Sequence, residues 1–217
     1  TGWVDVELSD KGISEAKKSA KLIKESNLIF DLFYTSYLKR AISTLEIILE
    51  ILSESKKNYH KAWQLNERHY GSLTGLNKEE TKKKLGEEKF IEYRRSWNIS
   101  PPPIDMDNKS RFLFGDLNNS IPKHNVPLSE SLKDTYDRIV PFYKNKVEND
   151  LKNNKNILIS AHGNSLRALC KNLLNISDNK INDLEIPTGN PLLLVFDKNF
   201  QIKSFEYLDK TRKKEIL

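Results

Sequence analysis

Apolar positions along the chain recur at two spacings that take turns. Between Ser9 and about Glu25 a mostly polar stretch carries Leu22 and Ile23 toward a core, and Ser9 stands where a helix N-cap belongs. Phe30 to Thr35 is a short apolar run of strand length. Helical spacing returns from Leu38 to about Glu54, with Ile42, Leu45, Ile48, Leu49 and Leu52 on one face. Ala62 to Leu65 reads as another short strand. A polar loop punctuated by glycine, Asn66 to Leu76, then leads into two helical stretches ending near Trp97.

Pro101, Pro102 and Pro103 close that region. Ile104 to Val126 has no period and reads as a long surface loop. Ser131 to about Lys152 is a helix containing Pro141, where the missing N–H predicts a kink or break. Asn156 to Ala161 is the strongest strand, Asn164 to Leu174 a helix, and Ser177 the cap of a further short one. Pro191 to Phe196 and Ile202 to Leu208 complete the strands. Without repeats or a linker, alternating strands and helices predict a single α/β domain over residues 1–217.

Composition narrows the function classes. Only 37% of the 217 residues are hydrophobic, and no apolar run approaches the length of a membrane span. No signal-peptide pattern opens the sequence, and the single cysteine, Cys170, has no internal partner, so a cytoplasmic setting is expected. The net charge is +6, but the lysines are interleaved with acids, as on solvated helix faces. Neither a nucleic-acid stripe with stacking aromatics nor a membrane surface is expected as partner. His60, His69, His124 and His162 lack short metal-ligand spacings, and phosphate-loop and serine-elbow motifs are absent.

Four stretches carry candidate chemistry. In Ile157 to Ser165 an apolar strand ends on Ala161-His162-Gly163-Asn164, and a helix starts at once. A strand's carboxyl end beside a helix N-terminus suits an anion, so His162 is either a ligand there or a support for the turn. Thr35-Ser36-Tyr37-Leu38-Lys39-Arg40 repeats the strand–turn–helix pattern, making Arg40 a phosphate ligand or a surface ion-pair member. Glu67-Arg68-His69-Tyr70 packs an acid, two bases and a phenol into one loop, for proton transfer or for an internal salt bridge. Arg94 and Arg95 are adjacent and repel unless an anion or acids lie between them. Together the four point to a site that handles phosphate.

Tyr34 to Ala41, Leu65 to Gly71, Tyr93 to Ser96 and Ala161 to Leu169, with Thr1-Gly2-Trp3, Gly75 to Lys78, Ser129 to Thr135 and Ile186 to Gly189, resemble the 2,3-bisphosphoglycerate-dependent phosphoglycerate mutases of the histidine phosphatase superfamily. The resemblance implies a three-layer sandwich, with a mostly parallel sheet and helices on both faces. It implies interconversion of 3-phosphoglycerate and 2-phosphoglycerate, in glycolysis and gluconeogenesis, through a phosphohistidine. It implies 2,3-bisphosphoglycerate as priming phosphoryl donor, no metal, small phosphorylated metabolites as partners, and a homodimer. Glu67 would be the proton donor and acceptor, while His162 and Arg40 would hold the transferring phosphoryl group. Thr1, Gly2, Arg68, His69, Tyr70, Lys78, Arg94, Arg95, Gly163 and Asn164 would bind the substrate's phosphates and carboxylate. Alternatives are a phosphatase of the same superfamily and a non-catalytic protein that binds phosphorylated metabolites.

The family opens on a strand ending in Arg-His-Gly, whose histidine carries the phosphoryl group, and that motif does not occur in these 217 residues. The expectation is an N-terminally incomplete sequence, inactive as it stands. The missing strand is expected to leave Phe33 and Ile159 under-packed.

Overall fold

The computed structural model describes residues 1–105, 117 and 121–212. Helix α1, Asp10–Glu25, begins where Ser9 accepts a hydrogen bond from the Gly12 amide, and it ends at Ser26. Strand β1, Leu32–Thr35, feeds α2, Lys39–Ile51. Strand β2 is short, His60–Lys61. Helices α3, Lys78–Leu85, and α4, Glu87–Arg95, follow, the first capped by Asn77.

Helix α5, Leu132–Phe142, starts in a capping box between Ser131 and Asp134 and contains Pro141. A π-helical stretch, Tyr143–Val147, joins it to α6, Glu148–Lys152. The disturbance expected at Pro141 therefore takes the form of a π turn just after it. Strand β3, Ile157–Ser160, runs into α7, Gly163–Leu173. Strands β4, Leu192–Phe196, and β5, Ile202–Tyr207, follow, and a 3-10 turn, Lys210–Arg212, ends the described fold.

β1 lies between β2 and β3 in a parallel sheet, and β4–β5 form an antiparallel pair. Side chains alternate across β1: Phe33 enters a core with Ala20, Ile23, Leu45, Leu49 and Leu158, between the sheet and α1 and α2. Tyr34 enters the opposite core with Leu132, Ile139, Ala168 and Leu169, from α5 and α7. This is the expected three-layer arrangement, and each fully buried aliphatic or aromatic side chain contributes about 1.5–3 kcal/mol to it.

Three expectations need correction. Ala62 to Leu65 is not a strand. The ladder stops where the Ala62 amide bonds Thr35, and Trp63–Leu65 closes into a 3-10 turn through Leu65 N–H to Ala62. Ser177 caps no helix; residues 178–183 form successive turns. Phe33 is only 1% exposed, and its strand is paired on both sides. Among the described residues the edges of the parallel sheet are β2 and β3, and Ile157 and Ile159 on β3 are half-buried. The long loop expected from Ile104 to Val126 falls mostly outside the described residues.

Candidate active site

The carboxyl ends of β1 and β3 open on one side of the parallel sheet, and the turns after them carry the polar residues of a crevice. Ser36 follows β1, and His162 caps α7 just after β3. Ser36 Oγ and His162 Nε2 share a hydrogen bond of 2.8 Å, with both residues buried. Burial, reinforced by the charges of Arg40 and Arg138, holds the His162 imidazole well below its usual pKa. It is neutral at physiological pH.

Arg40, in the first turn of α2, donates to the carbonyls of Gly2 at 2.8 Å and Val4 at 3.0 Å. It thereby fastens the 1–6 segment over the crevice while its charge acts on His162 and Glu67. Trp3, fully buried, donates from its indole to the Glu67 carbonyl. The Glu67 carboxylate accepts from two backbone amides, both on Oε1: Arg68 at 2.7 Å and Asn164 at 3.3 Å. The acid therefore stands at the N-terminus of α7, two residues beyond His162. An added Cβ on Gly163 would meet nothing within 4 Å, so its backbone faces open space.

Next to the crevice lies a cleft of about 280 Å³ that includes Thr1, Tyr70, Leu76, Lys78, Phe90 and Arg94 in its lining. Tyr70 joins the two spaces. Its hydroxyl accepts from Asn164 Nδ2 at 2.9 Å, and the guanidinium groups of Arg68 and Arg94 lie 4.7 and 5.6 Å from its ring centre. Gly2 packs against the same ring, where a Cβ would come within 3.0 Å of it. Thr1, Gly2, Arg40, Glu67, Tyr70, Lys78, Arg94, His162, Gly163 and Asn164 are thus gathered around two adjoining spaces.

The remaining three candidates do not face the open space. Arg68 is fully buried and donates to the Tyr93 and Arg94 carbonyls at the end of α4. His69 is fully buried beside Trp3, its Nδ1 accepts from the Gly71 amide, and burial lowers its pKa to about 4. Gly71 adopts φ +54, and a Cβ there would lie 2.1 Å from the Pro102 carbonyl oxygen, so this loop closes only on glycine. Arg95 points outward to Glu185 at 3.0 Å.

A family model described as histidine phosphatase superfamily (branch 1) matches residues 1–112 and 104–205. The 2,3-bisphosphoglycerate-dependent phosphoglycerate mutase of Pelagibacter ubique is 54% identical over 217 residues, which is all of this chain and 91% of that protein. The proteins of the same name from Buchnera aphidicola and Lactobacillus acidophilus are 49% and 48% identical over 96% of the chain, covering 90% and 91% of their own lengths. The chain belongs to this family of mutases.

Solved structures share the fold at low identity. A mycobacterial glucosyl-3-phosphoglycerate phosphatase complexed with VO3 superposes with a TM-score of 0.69 at 19% identity, over 95% of this chain and 88% of that one. The Shigella flexneri alpha-ribazole phosphatase gives 0.64 at 19%, over 92% and 83%.

The structure also draws in Ser36, Glu130 and Arg167, which lie within the stretches that carry the resemblance, and Arg138, which lies outside them. Arg138 and Glu130 form an almost fully buried ion pair beneath the Glu67 loop. Arg167 donates to Asn164. Arg138 and Arg167 stand among apolar helix neighbours, Ile139 and Val140 in one case and Leu166 and Ala168 in the other. That placement is the one sequence signal that sets them apart from surface arginines.

Proposed function

We propose that the enzyme interconverts 3-phosphoglycerate and 2-phosphoglycerate at this crevice. The observation that carries the reading is the position of Glu67. Its carboxylate lies at the start of α7, with His162 and Arg40 on one side and the cleft of Tyr70, Lys78 and Arg94 on the other. Phosphoryl transfer asks a protein mainly for positioning and charge neutralisation. Arg40 neutralises the transferring group, and neutral His162 orients it by hydrogen bonding. Lys78 and Arg94 hold the substrate's other anionic end, which a site using water as acceptor needs less. Glu67 takes a proton from the attacking hydroxyl and returns one to the leaving oxygen.

The donor set also fits 2,3-bisphosphoglycerate, whose anionic groups match the two cationic ends and whose role is to supply the first phosphoryl group. Two buried guanidinium nitrogens without partners, Nε of Arg68 and of Arg167, mark this region as short of negative charge. A histidine that carries the phosphoryl group is needed besides His162. His60 lies on β2 against Tyr34, His69 is enclosed beside Trp3, and His124 sits in a turn, so none of these serves.

The test is phosphorus NMR of the chain fused behind a strand that ends in Arg-His-Gly, with 3-phosphoglycerate and catalytic 2,3-bisphosphoglycerate. A mutase yields 2-phosphoglycerate at constant inorganic phosphate. Steady release of inorganic phosphate without 2-phosphoglycerate would instead identify a phosphatase.

A further inference from the structure

Arg167 stands one helical turn beyond Asn164 on α7 and is 5% exposed. Its Nη1 donates to Asn164 Oδ1 at 3.0 Å and its Nη2 to the Ile181 carbonyl at 2.6 Å. A guanidinium has only donors, so the Asn164 atom facing it has to be the amide oxygen. The amide nitrogen is then turned the other way, toward the crevice, where it meets the Tyr70 hydroxyl. A continuous chain, Ile181–Arg167–Asn164–Tyr70, thus runs from a turn behind α7 to the wall of the cleft.

Charge adds a second effect. Neither Arg167 nor Arg68 has an ion-pair partner among the described residues, although both are buried. Burial, with the positive charges of Arg95 and Arg68, lowers the Arg167 pKa to about 10, which leaves it charged at neutral pH. Two buried cations with no ion-pair partner, offset only by the more distant charge of Glu67, are costly unless a further anion comes near. Arg68 lies 4.7 Å from the Tyr70 ring and Arg167 is joined to the Tyr70 hydroxyl through Asn164, so both cations stand behind the Tyr70 wall of the site.

We propose that Arg167 is a positioning residue that turns the Asn164 amide toward the crevice and, with Arg68, biases the Tyr70 end of the site toward an anionic group of the substrate. The substrate half of this inference rests on the mutase reading above. The orientation of Asn164 does not.

Two readouts on the 217-residue chain separate them. The first is calorimetric binding of 3-phosphoglycerate to wild type, Arg167→Lys, Arg167→Met, Asn164→Ala and the Arg167→Lys/Asn164→Ala double variant. Loss of a hydrogen bond to a charged group predicts binding roughly 10- to 150-fold weaker for Arg167→Met and an intermediate loss for Arg167→Lys. The double variant should be barely weaker than Asn164→Ala alone, because one residue acts through the other. The second is the Asn164 side-chain amide in a nitrogen–proton NMR spectrum, which should shift toward a free amide in Arg167→Lys. Arg167→Lys keeps a cation and a donor, so it remains informative where Arg167→Met unfolds. A merely structural Arg167 would lower the melting temperature while leaving the Asn164 signal and the binding constant within twofold of wild type, and that result overturns the proposal. Additive losses in the double variant overturn it as well. Should wild type fail to bind 3-phosphoglycerate, the mutase reading and the substrate half fall together, and the Asn164 signal still decides the positioning.

Discussion

Arg138 and Glu130 form an ion pair of 2.6 Å near the start of α5, and both partners also hold the loop that carries Glu67. Glu130 accepts from the His69 amide at 2.8 Å. Arg138 donates to the carbonyls of Gln64, Asn66 and Glu67. The pair therefore fixes the backbone on both sides of the acid from below, while Trp3 and the start of α7 hold it from above.

Breaking this pair one-sidedly leaves a buried charge uncompensated. Arg138→Met or Glu130→Gln should each lower unfolding free energy by about 3–5 kcal/mol. The double variant should lose less than the sum of the two. Urea unfolding checks this, and single-variant losses below about 1 kcal/mol would show that the pair is not a clamp.

Stability should also fall with acid before the carboxylates titrate. His69 and His162 both have pKa values below the unfolded value of about 6.5, His69 at about 4. The unfolded chain therefore binds more protons below pH 6.5, and stability is full above that point and declines as pH drops toward 4. For His69 alone the loss is about 3 kcal/mol. His69→Asn, which keeps an acceptor for the Gly71 amide, should flatten urea midpoints measured between pH 7.5 and 4.5. An unchanged slope would place the imidazole in contact with solvent.

Much of this arrangement is legible in the sequence. The bounds of α1 follow from the Ser9 cap, and those of β3 and α7 from an apolar run broken at His162. The crevice follows because two strands end in polar turns. β2 is not legible, because His60 and Lys61 are both exposed and show no alternation, while apolar Trp63 and Leu65 imitate a strand. Arg138 is separated from Glu67 by 71 positions, and only the packing of α5 under the loop joins them. Arg68 and His69 share a short polar motif with Glu67 and Tyr70, yet the middle two residues turn inward while the outer two line the site. The sequence does not distinguish the enclosed pair from the pair lining the site.

A bound oxyanion should report the geometry of the crevice. In crystals grown with phosphate or vanadate, its oxygens should lie roughly 2.7–2.9 Å from nitrogens of both Arg40 and His162. Arg40 would exchange one of its bonds to Gly2 or Val4 for the anion. Occupancy at the Arg94 end alone would separate Arg40 from the phosphoryl site.

The 217 residues alone should bind 3-phosphoglycerate without converting it, since none of His60, His69 and His124 borders the crevice. A transferable phosphoryl group needs a nucleophile about 3–3.5 Å from phosphorus and in line with the leaving oxygen. Fusing a strand that ends in the Arg-His-Gly motif ahead of Thr1 should produce turnover. Conversion by the unfused chain would mean that one of these histidines moves into the site.

The most direct measurement is the turnover of Glu67→Gln in that active form, compared with wild type by phosphorus NMR. Wild type should make 2-phosphoglycerate at constant inorganic phosphate. Glu67→Gln should be slower by roughly 10²–10⁴-fold, the span of a general acid–base group, with its melting temperature and 3-phosphoglycerate binding nearly unchanged. Full turnover by Glu67→Gln would contradict the account, since the carboxylate at the start of α7 would then take no part in the proton transfers.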